Sequence, residues 1–200
     1  LLSTRGDQGT PRCLVVVDEF GERTLMLLSK IVKDHGGITL KHAGIKSGDI
    51  VLFTHWNEEW RTEIDYAREQ GCTIVIGIGA LLAEPKVSAD IAIGSISDIP
   101  TELPFEDYLD RFPLIVVTRG LTGSTLYAKS GKVHQDAFPV NTIDTTGAGD
   151  CFIGAFAAAL ASGASEESAV QFGIDCATKS VMRKGAQSSY PDQAEIATLS

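Results

Sequence analysis

The sequence has no cluster of basic residues and no long unbroken apolar run. Its 26 acidic and 17 basic side chains give 200 residues a formal net charge of −9. Such a surface disfavours binding to nucleic acid or to an anionic membrane. The longest apolar stretch, from Phe152 to Ala161, is about half as long as a membrane-spanning helix needs to be. We therefore expect neither nucleic acid nor a membrane as a partner.

Cysteines are few and widely spaced in this chain. Cys13, Cys72, Cys151 and Cys176 form no C-x-x-C pair, and each lies among apolar neighbours. This pattern favours buried free thiols in a reducing compartment over a disulfide framework. The histidines lack the spacing of zinc ligands, and no secretory signal is evident at the start of the chain. The sequence therefore predicts a cytoplasmic protein.

The order of the predicted elements is typical of an α/β domain. Apolar, β-prone runs alternate with segments that have helical spacing. Predicted strands cover 49–54, 73–76, 90–93 and 114–118, and hairpins cover 13–18 with 23–28 and 124–128 with 132–135. Predicted helices cover 58–70, 105–111, 149–162 and 166–184, with 29–47 irregular or weakly helical. Ser165 is the expected N-cap of the last helix, and Gly185 is expected just beyond its end. This order predicts one domain with a mainly parallel sheet and helices on both faces.

The segment Asp144 to Asp150 reads DTTGAGD and directly precedes an apolar helical run. Gly147 and Gly149 flank Ala148, so the backbone can turn sharply and bring N–H groups close to a ligand. The helix directs its positive dipole end to the same place, which suits an oxyanion or a phosphate. A site for negative charge beside the Asp150 carboxylate is what phosphoryl transfer to a hydroxyl requires. The alternative is a tight turn into a helix with Asp150 at its favourable end.

Three segments, in the order and spacing found here, resemble motifs of the ribokinase family of sugar and nucleoside kinases. They are Asp144 to Asp150, the nucleotide segment VVTRGLTG at 116–123, and the loop RKGAQSSYP at 183–191. The resemblance implies a three-layer α/β fold with a small β lid. It also implies ATP-dependent phosphorylation of a small sugar or related polyol, with Mg²⁺. The hairpin at 13–28 resembles lid strands, and the chain resembles the C-terminal two-thirds of such a kinase. Lid strands pair between subunits in some relatives, which leaves a homodimer open.

The resemblance also assigns roles to individual residues. Asp150 corresponds to the general base that contacts the substrate, and Gly147, Ala148 and Gly149 correspond to the anion hole. Thr118, Arg119, Gly120 and Gly123, with Gly149, correspond to the ATP-binding residues. Asp98 corresponds to an acidic residue that organises Mg²⁺ through water.

A monovalent-cation site is implied in the same way. The side chains of Asp144 and Ser189 match it, as do the main-chain oxygens of Thr146, Ser180, Arg183 and Gly185. In relatives that use K⁺ these positions hold the ion. The alternative is that Asp144 only closes an Asx turn and binds no ion.

Two departures from the family pattern support a second hypothesis. Ser95 stands where the family has asparagine, and Ile174 stands where it often has asparagine or histidine near the adenine. The first change removes an amide and the second removes a hydrogen bond to the base, so an inactive nucleotide- or sugar-binding protein is the alternative function. The intact Asp150 argues against it.

A third hypothesis, a dehydrogenase domain, starts from Gly77-Ile78-Gly79 after a predicted strand. Leu82 occupies the place of the third glycine of that fingerprint. We therefore interpret this segment as a turn at the end of a strand.

Overall fold

The computed structural model describes residues 13–17, 23–27 and 39–197. In these ranges the chain forms eight strands, five α-helices and short 3-10 turns. The strands are β1 (Cys13–Val17), β2 (Arg23–Leu27), β3 (Ile50–Phe53), β4 (Thr73–Gly77), β5 (Ile91–Ser95), β6 (Leu114–Thr118), β7 (Ser124–Ala128) and β8 (Gly131–Gln135). The helices are α1 (Leu40–Ala43), α2 (Arg61–Glu69), α3 (Ala148–Ala161), α4 (Glu166–Ser180) and α5 (Gln193–Ile196).

Six strands form one sheet in the order β3-β4-β5-β6-β7-β8. Strands β3 to β6 are parallel to one another. Strand β7 pairs antiparallel with β6, and β8 pairs antiparallel with β7. The register places Ser95 at the end of β5 beside Thr118 at the end of β6, and Thr118 beside Ser124. The carboxyl ends of the parallel strands therefore meet at one edge, where ligands of open α/β sheets bind.

The core lies on both faces of this sheet. In β4, Ile74 and Ile76 pack with Ile64 of α2, whereas Val75 packs with Phe156 of α3 on the other face. All of these side chains are at most 1% exposed, and burial of one such side chain stabilises the fold by about 1.5–3 kcal/mol. Because both faces are covered, the parallel strands are apolar runs rather than alternating ones. The three-layer α/β fold expected from the sequence is confirmed.

Two helix predictions were wrong. The predicted helix at 105–111 is a 3-10 turn over Phe105–Tyr108, because so short a segment before Pro113 does not sustain helical bonding. Helix α4 ends at Ser180 rather than at residue 184. There the Val181 carbonyl accepts the N–H groups of Ile143 and Asp144, at 2.8 and 3.2 Å. The helix therefore stops where the DTTGAGD segment joins it, and Gly185 lies in the following loop.

Other local predictions were confirmed. Ser165 caps α4, because its Oγ accepts the N–H of Ser168 at 3.2 Å. Gly77-Ile78-Gly79 does end a strand, and a 3-10 turn over Ile78–Leu82 follows it. Helix α1 lies within 29–47, the segment predicted to be irregular or weakly helical, while α5 was not predicted, since four residues give no periodic pattern.

Strands β1 and β2 pair antiparallel, with Cys13 opposite Leu27, and form a separate two-stranded sheet. The predicted hairpin strands are thus confirmed, while the turn at 18–22 and Leu28 lie outside the described residues. Among the helices of the described ranges, none has both the length and the apolar character that crossing a membrane demands.

Candidate active site

A cleft of about 550 Å³ lies at the carboxyl ends of β5 and β6. Its walls are the turn after β5, the loop after β6, the segment leading to α3, the first turn of α3 and one side of α4. Nine of the residues predicted from the sequence line it together: Asp98, Thr118, Arg119, Gly120, Gly123, Gly147, Ala148, Gly149 and Asp150. The tertiary structure thus brings the proposed base, anion hole and nucleotide segment into one space.

The first turn of α3 begins at Gly147, which is the N-cap with φ +79°. A side chain would be strained in this left-handed conformation, and a Cβ would lie 3.1 Å from the Cα of Ala186. The Gly147 carbonyl accepts the first helical hydrogen bond, from the Cys151 N–H at 2.9 Å. Asp150 is exposed in this first turn and faces the cleft.

The N–H groups of this turn are not equivalent. That of Ala148 donates to the Thr145 carbonyl at 3.2 Å, which closes the turn before the helix. Those of Gly149 and Asp150 lie in the first helical turn, where a helix offers no acceptor of its own. The geometry therefore favours Gly149 and Asp150 over Ala148 as donors to an anion in the cleft.

The loop after β6 is closed by its own hydrogen bonds. The Arg119 N–H donates to the Gly123 carbonyl at 2.8 Å, and the Gly123 N–H donates to the Gly120 carbonyl at 3.1 Å. The Thr122 hydroxyl donates to the Arg119 carbonyl at 2.9 Å. Gly123 has φ +96°, and a Cβ there would collide with the Gln135 carbonyl. The backbone thus presents a rigid edge to the cleft.

The Arg119 side chain has partners of its own. Its Nη2 donates to Glu102 Oε1 at 2.7 Å and to the Tyr127 hydroxyl at 3.3 Å. The hydrogen bond with Tyr127, followed by that with Glu102, raises the pKa of the guanidinium. Because both contacts use one nitrogen, the other N–H groups of Arg119 can still reach a phosphate oxygen.

Two of the predicted cation-site residues, Thr146 and Gly185, bond to the buried carboxylate of Asp144, which is 7% exposed. Its Oδ1 accepts the Thr146 N–H and its Oδ2 accepts the Gly185 N–H, both at 2.9 Å. Ser189 is fully buried, and its Oγ donates to the Ala186 carbonyl at 2.7 Å. The Asx turn considered from the sequence is therefore present, and Asp144 also joins the DTTGAGD segment to the loop at 183–191.

Asp98 closes the 3-10 turn over Ile96–Asp98, because its Oδ2 accepts the Ser95 N–H at 3.0 Å. The Ser95 hydroxyl stays within the same turn, 2.8 Å from the Ser97 hydroxyl. Asp98 is exposed at the cleft, so its second oxygen can accept a hydrogen bond from a metal-bound water.

The remaining wall of the cleft is apolar and includes residues to which the sequence assigned no role. Phe138, Val140, Ile174, Ala177 and Val181 all line the cleft, and Phe138 is 60% exposed. Periodicity could not reveal Phe138 and Val140, since they lie in a loop. Two large apolar side chains around Pro139 were the available signal.

Comparison with known proteins finds similar proteins among the carbohydrate kinases. The profile of the pfkB family carbohydrate kinases matches residues 108–193. Ribokinase from Bacillus subtilis strain 168 is 40% identical over 99 residues, which are 49% of this chain and 34% of that protein. The structure of ribokinase from Thermotoga maritima superposes with a TM-score of 0.73 at 26% identity, covering 95% of this chain and 69% of that one. That of Arabidopsis thaliana ribokinase with ribose and ATP gives a TM-score of 0.72 at 23% identity, covering 96% and 70%.

The chain is thus ribokinase-like in sequence and in fold. Its alignment spans about a third of the length of the Bacillus ribokinase, 34%.

Proposed function

We propose that this protein transfers the terminal phosphoryl group of ATP to a hydroxyl of a small sugar or related polyol. The observation that carries the proposal is the first turn of α3, where the Asp150 carboxylate and backbone N–H groups face one cleft. The carboxylate accepts the proton of the attacking hydroxyl, which contributes about 10²–10⁴-fold to the rate. The N–H groups and the helix dipole stabilise the charge on the phosphoryl group.

ATP lies with its phosphates at the first turn of α3 and along the loop Arg119–Gly123. The adenine base then reaches the apolar wall at Phe138 and Ile174. An apolar wall can pack against the aromatic base without a charged partner. The Arabidopsis relative, which has ribose and ATP bound, supports ATP and a pentose as the first ligands to test.

The side chains present fit a magnesium ion. Mg²⁺ usually keeps several waters and is held by one or two carboxylates with the substrate phosphates. Asp98 at the cleft is such a carboxylate, and it would hold the ion through water. The ion would neutralise charge on the phosphates.

The residues around Asp144 also fit a potassium ion. Their donor groups are oxygens, which hard cations prefer, and the buried Thr146 Oγ1 has no hydrogen-bond partner within the described part of the chain. Asp144 and Ser189 would contribute side-chain oxygens, and Thr146, Ser180, Arg183 and Gly185 main-chain oxygens. Bound K⁺ would brace the turn before α3 against the loop at 183–191.

The proposal has further parts. We place the chain in one ribokinase-like domain in the cytoplasm, with β1 and β2 in a lid through which a homodimer forms. The inactive binding-protein alternative gains no support from the relatives, which are named as kinases.

The test is coupled ADP production by the natural-length protein with Mg²⁺ and ATP, against ribose, other small sugars, sugar acids and nucleosides. We expect turnover with one acceptor, and a loss of about 10²–10⁴-fold in kcat for Asp150→Asn with ADP affinity retained. The matched control is Asp110→Asn, since Asp110 is an 88% exposed surface carboxylate paired with Lys129. Activity that persists in Asp150→Asn would contradict the role of the base. The absence of turnover with any acceptor would contradict the kinase.

The cation is tested by thermal melts in K⁺ and in Na⁺. A ligand that binds only the folded state raises Tm by mass action, so K⁺ should raise Tm of the natural protein and not of Ser189→Ala. An equal Tm of the natural protein in both salts would remove K⁺ from the proposal.

A further inference from the structure

Tyr190 lies directly behind the first turn of α3. It follows the 3-10 turn over Gln187–Ser189, and its N–H donates to the Gln187 carbonyl at 3.3 Å. Its backbone is extended, with φ −65° and ψ 143°, as Pro191 requires of the residue before it. The backbone therefore fixes the direction in which the phenol ring leaves the loop.

The Tyr190 hydroxyl donates a hydrogen bond to the Gly147 carbonyl at 3.1 Å. The same carbonyl accepts the Cys151 N–H at 2.9 Å, so both of its lone pairs are used. This packing is tight, because a Cβ on Gly147 would lie 3.0 Å from the Tyr190 oxygen. A carbonyl held by two donors cannot rotate, so the peptide plane that opens α3 has one orientation.

That orientation decides where the donors of the cleft point. The N–H groups of Gly149 and Asp150 follow this plane within the same helical turn, so a tilt of the plane would move both of them. The Tyr190 hydroxyl thus influences the direction of the N–H groups in the anion hole, although it bonds only to the Gly147 carbonyl.

We propose that Tyr190 is a positioning residue that orients the anion hole at the first turn of α3 for the phosphoryl group in transfer. The inference rests on the proposed kinase function for the identity of that group.

The test compares Tyr190→Phe, which removes only the hydroxyl, with Tyr108→Phe as a matched control. The Tyr108 ring packs against the core on the α2 face of the sheet, and it is not among the residues that line the cleft. Removal of a whole anion-hole donor costs about 10²–10³-fold in kcat, so misorientation should cost Tyr190→Phe about 10-fold. KM for the acceptor and the affinity for ADP should stay within about twofold, since the transferring group, not the ground state, is affected.

A readout independent of turnover keeps the two proposals separable. ADP with tetrafluoroaluminate mimics the phosphoryl group in transfer, and Tyr190→Phe should bind this pair about 10-fold more weakly than the natural protein while binding ADP alone equally well. Tm should fall by no more than about 2–4 °C, as expected for one lost hydrogen bond in a domain of this size.

Unchanged kcat, or unchanged affinity for the ADP–tetrafluoroaluminate pair, would overturn the role of Tyr190. A fall of kcat that is matched by an equal weakening of ADP alone would overturn it as well, because that pattern indicates general loosening of the site. If the natural protein turns over no acceptor, the kinase proposal fails, and the binding comparison still decides the role of Tyr190.

Discussion

Replacement of Asp144 by alanine should destabilise the protein far more than replacement of an ordinary surface aspartate. The Asp144 carboxylate is 7% exposed and accepts two backbone N–H groups, from Thr146 and from Gly185, both at 2.9 Å. The second bond spans 41 residues of chain, so it joins the segment before α3 to the loop after α4. Alanine leaves both N–H groups without these acceptors.

The magnitude follows from those two bonds. A buried donor that loses its acceptor costs about 1–3 kcal/mol, and both bonds here are only partly buried. We therefore expect Asp144→Ala to lower the free energy of unfolding by about 2–4 kcal/mol. In a domain of this size that lowers Tm by about 4–16 °C. Asp144→Asn should fall between the natural protein and alanine, because an amide keeps one acceptor oxygen and turns a donor toward the other N–H.

The assay is thermal and urea unfolding in a Na⁺ buffer, which keeps the proposed K⁺ out of the comparison. The matched control is Asp90→Ala. Asp90 is exposed, and its carboxylate accepts a single backbone N–H, from Ile74 at 2.7 Å. We expect this control to cost about 1 kcal/mol. An Asp144→Ala protein as stable as Asp90→Ala would refute the reasoning that the carboxylate fastens the two loops together.

Three further predictions concern the cleft and its surroundings. Gly123→Ala forces a Cβ into the Gln135 carbonyl and should raise KM for ATP and lower Tm. Gly120 has φ +59° and nothing within 4 Å of an added Cβ, so Gly120→Ala should lower Tm by only a few degrees. Equal kinetics and melts in the two variants would contradict the steric argument. His134 Nε2 lies 2.9 Å from the Thr122 carbonyl, so His134→Leu should raise KM for ATP. His134→Gln keeps a hydrogen-bond donor and should restore the natural KM. A glutamine variant with a KM as high as that of the leucine variant would contradict a role of this contact in ATP binding. Burial, and then Cys151, raise the pKa of the Cys176 thiol from 9.0 to about 11. Alkylation of Cys176 at pH 8, measured by mass spectrometry, should therefore be about 100-fold slower in the native protein than in urea. Because the folded state holds this proton more tightly, the free energy of unfolding should decrease as pH rises from about 9 to about 11; rapid alkylation at pH 8 would refute the shift.

The outline of the fold could be predicted from the sequence, because strands buried on both faces are short apolar runs. The segments at 73–76 and 114–118 were placed within one residue of β4 and β6. One prediction failed where a long-range contact determines the end of a helix. Helix α4 ends at Ser180 because Asp144 and Ile143 bond to the Val181 carbonyl, and those residues lie some 40 positions earlier in the chain.

The candidate site divides in the same way. The sequence by itself indicated the proposed chemistry, since the glycines and Asp150 lie within seven consecutive residues that predict a turn and a helix start beside a carboxylate. Only the tertiary structure shows which N–H groups can face a ligand. It also places Asp144 in a hydrogen bond with the Gly185 N–H and the Tyr190 hydroxyl in a hydrogen bond with the Gly147 carbonyl. Local spacing sets backbone conformation, whereas the partner of a polar group across 40 residues depends on how the layers pack. The sequence pattern alone therefore does not predict that partner.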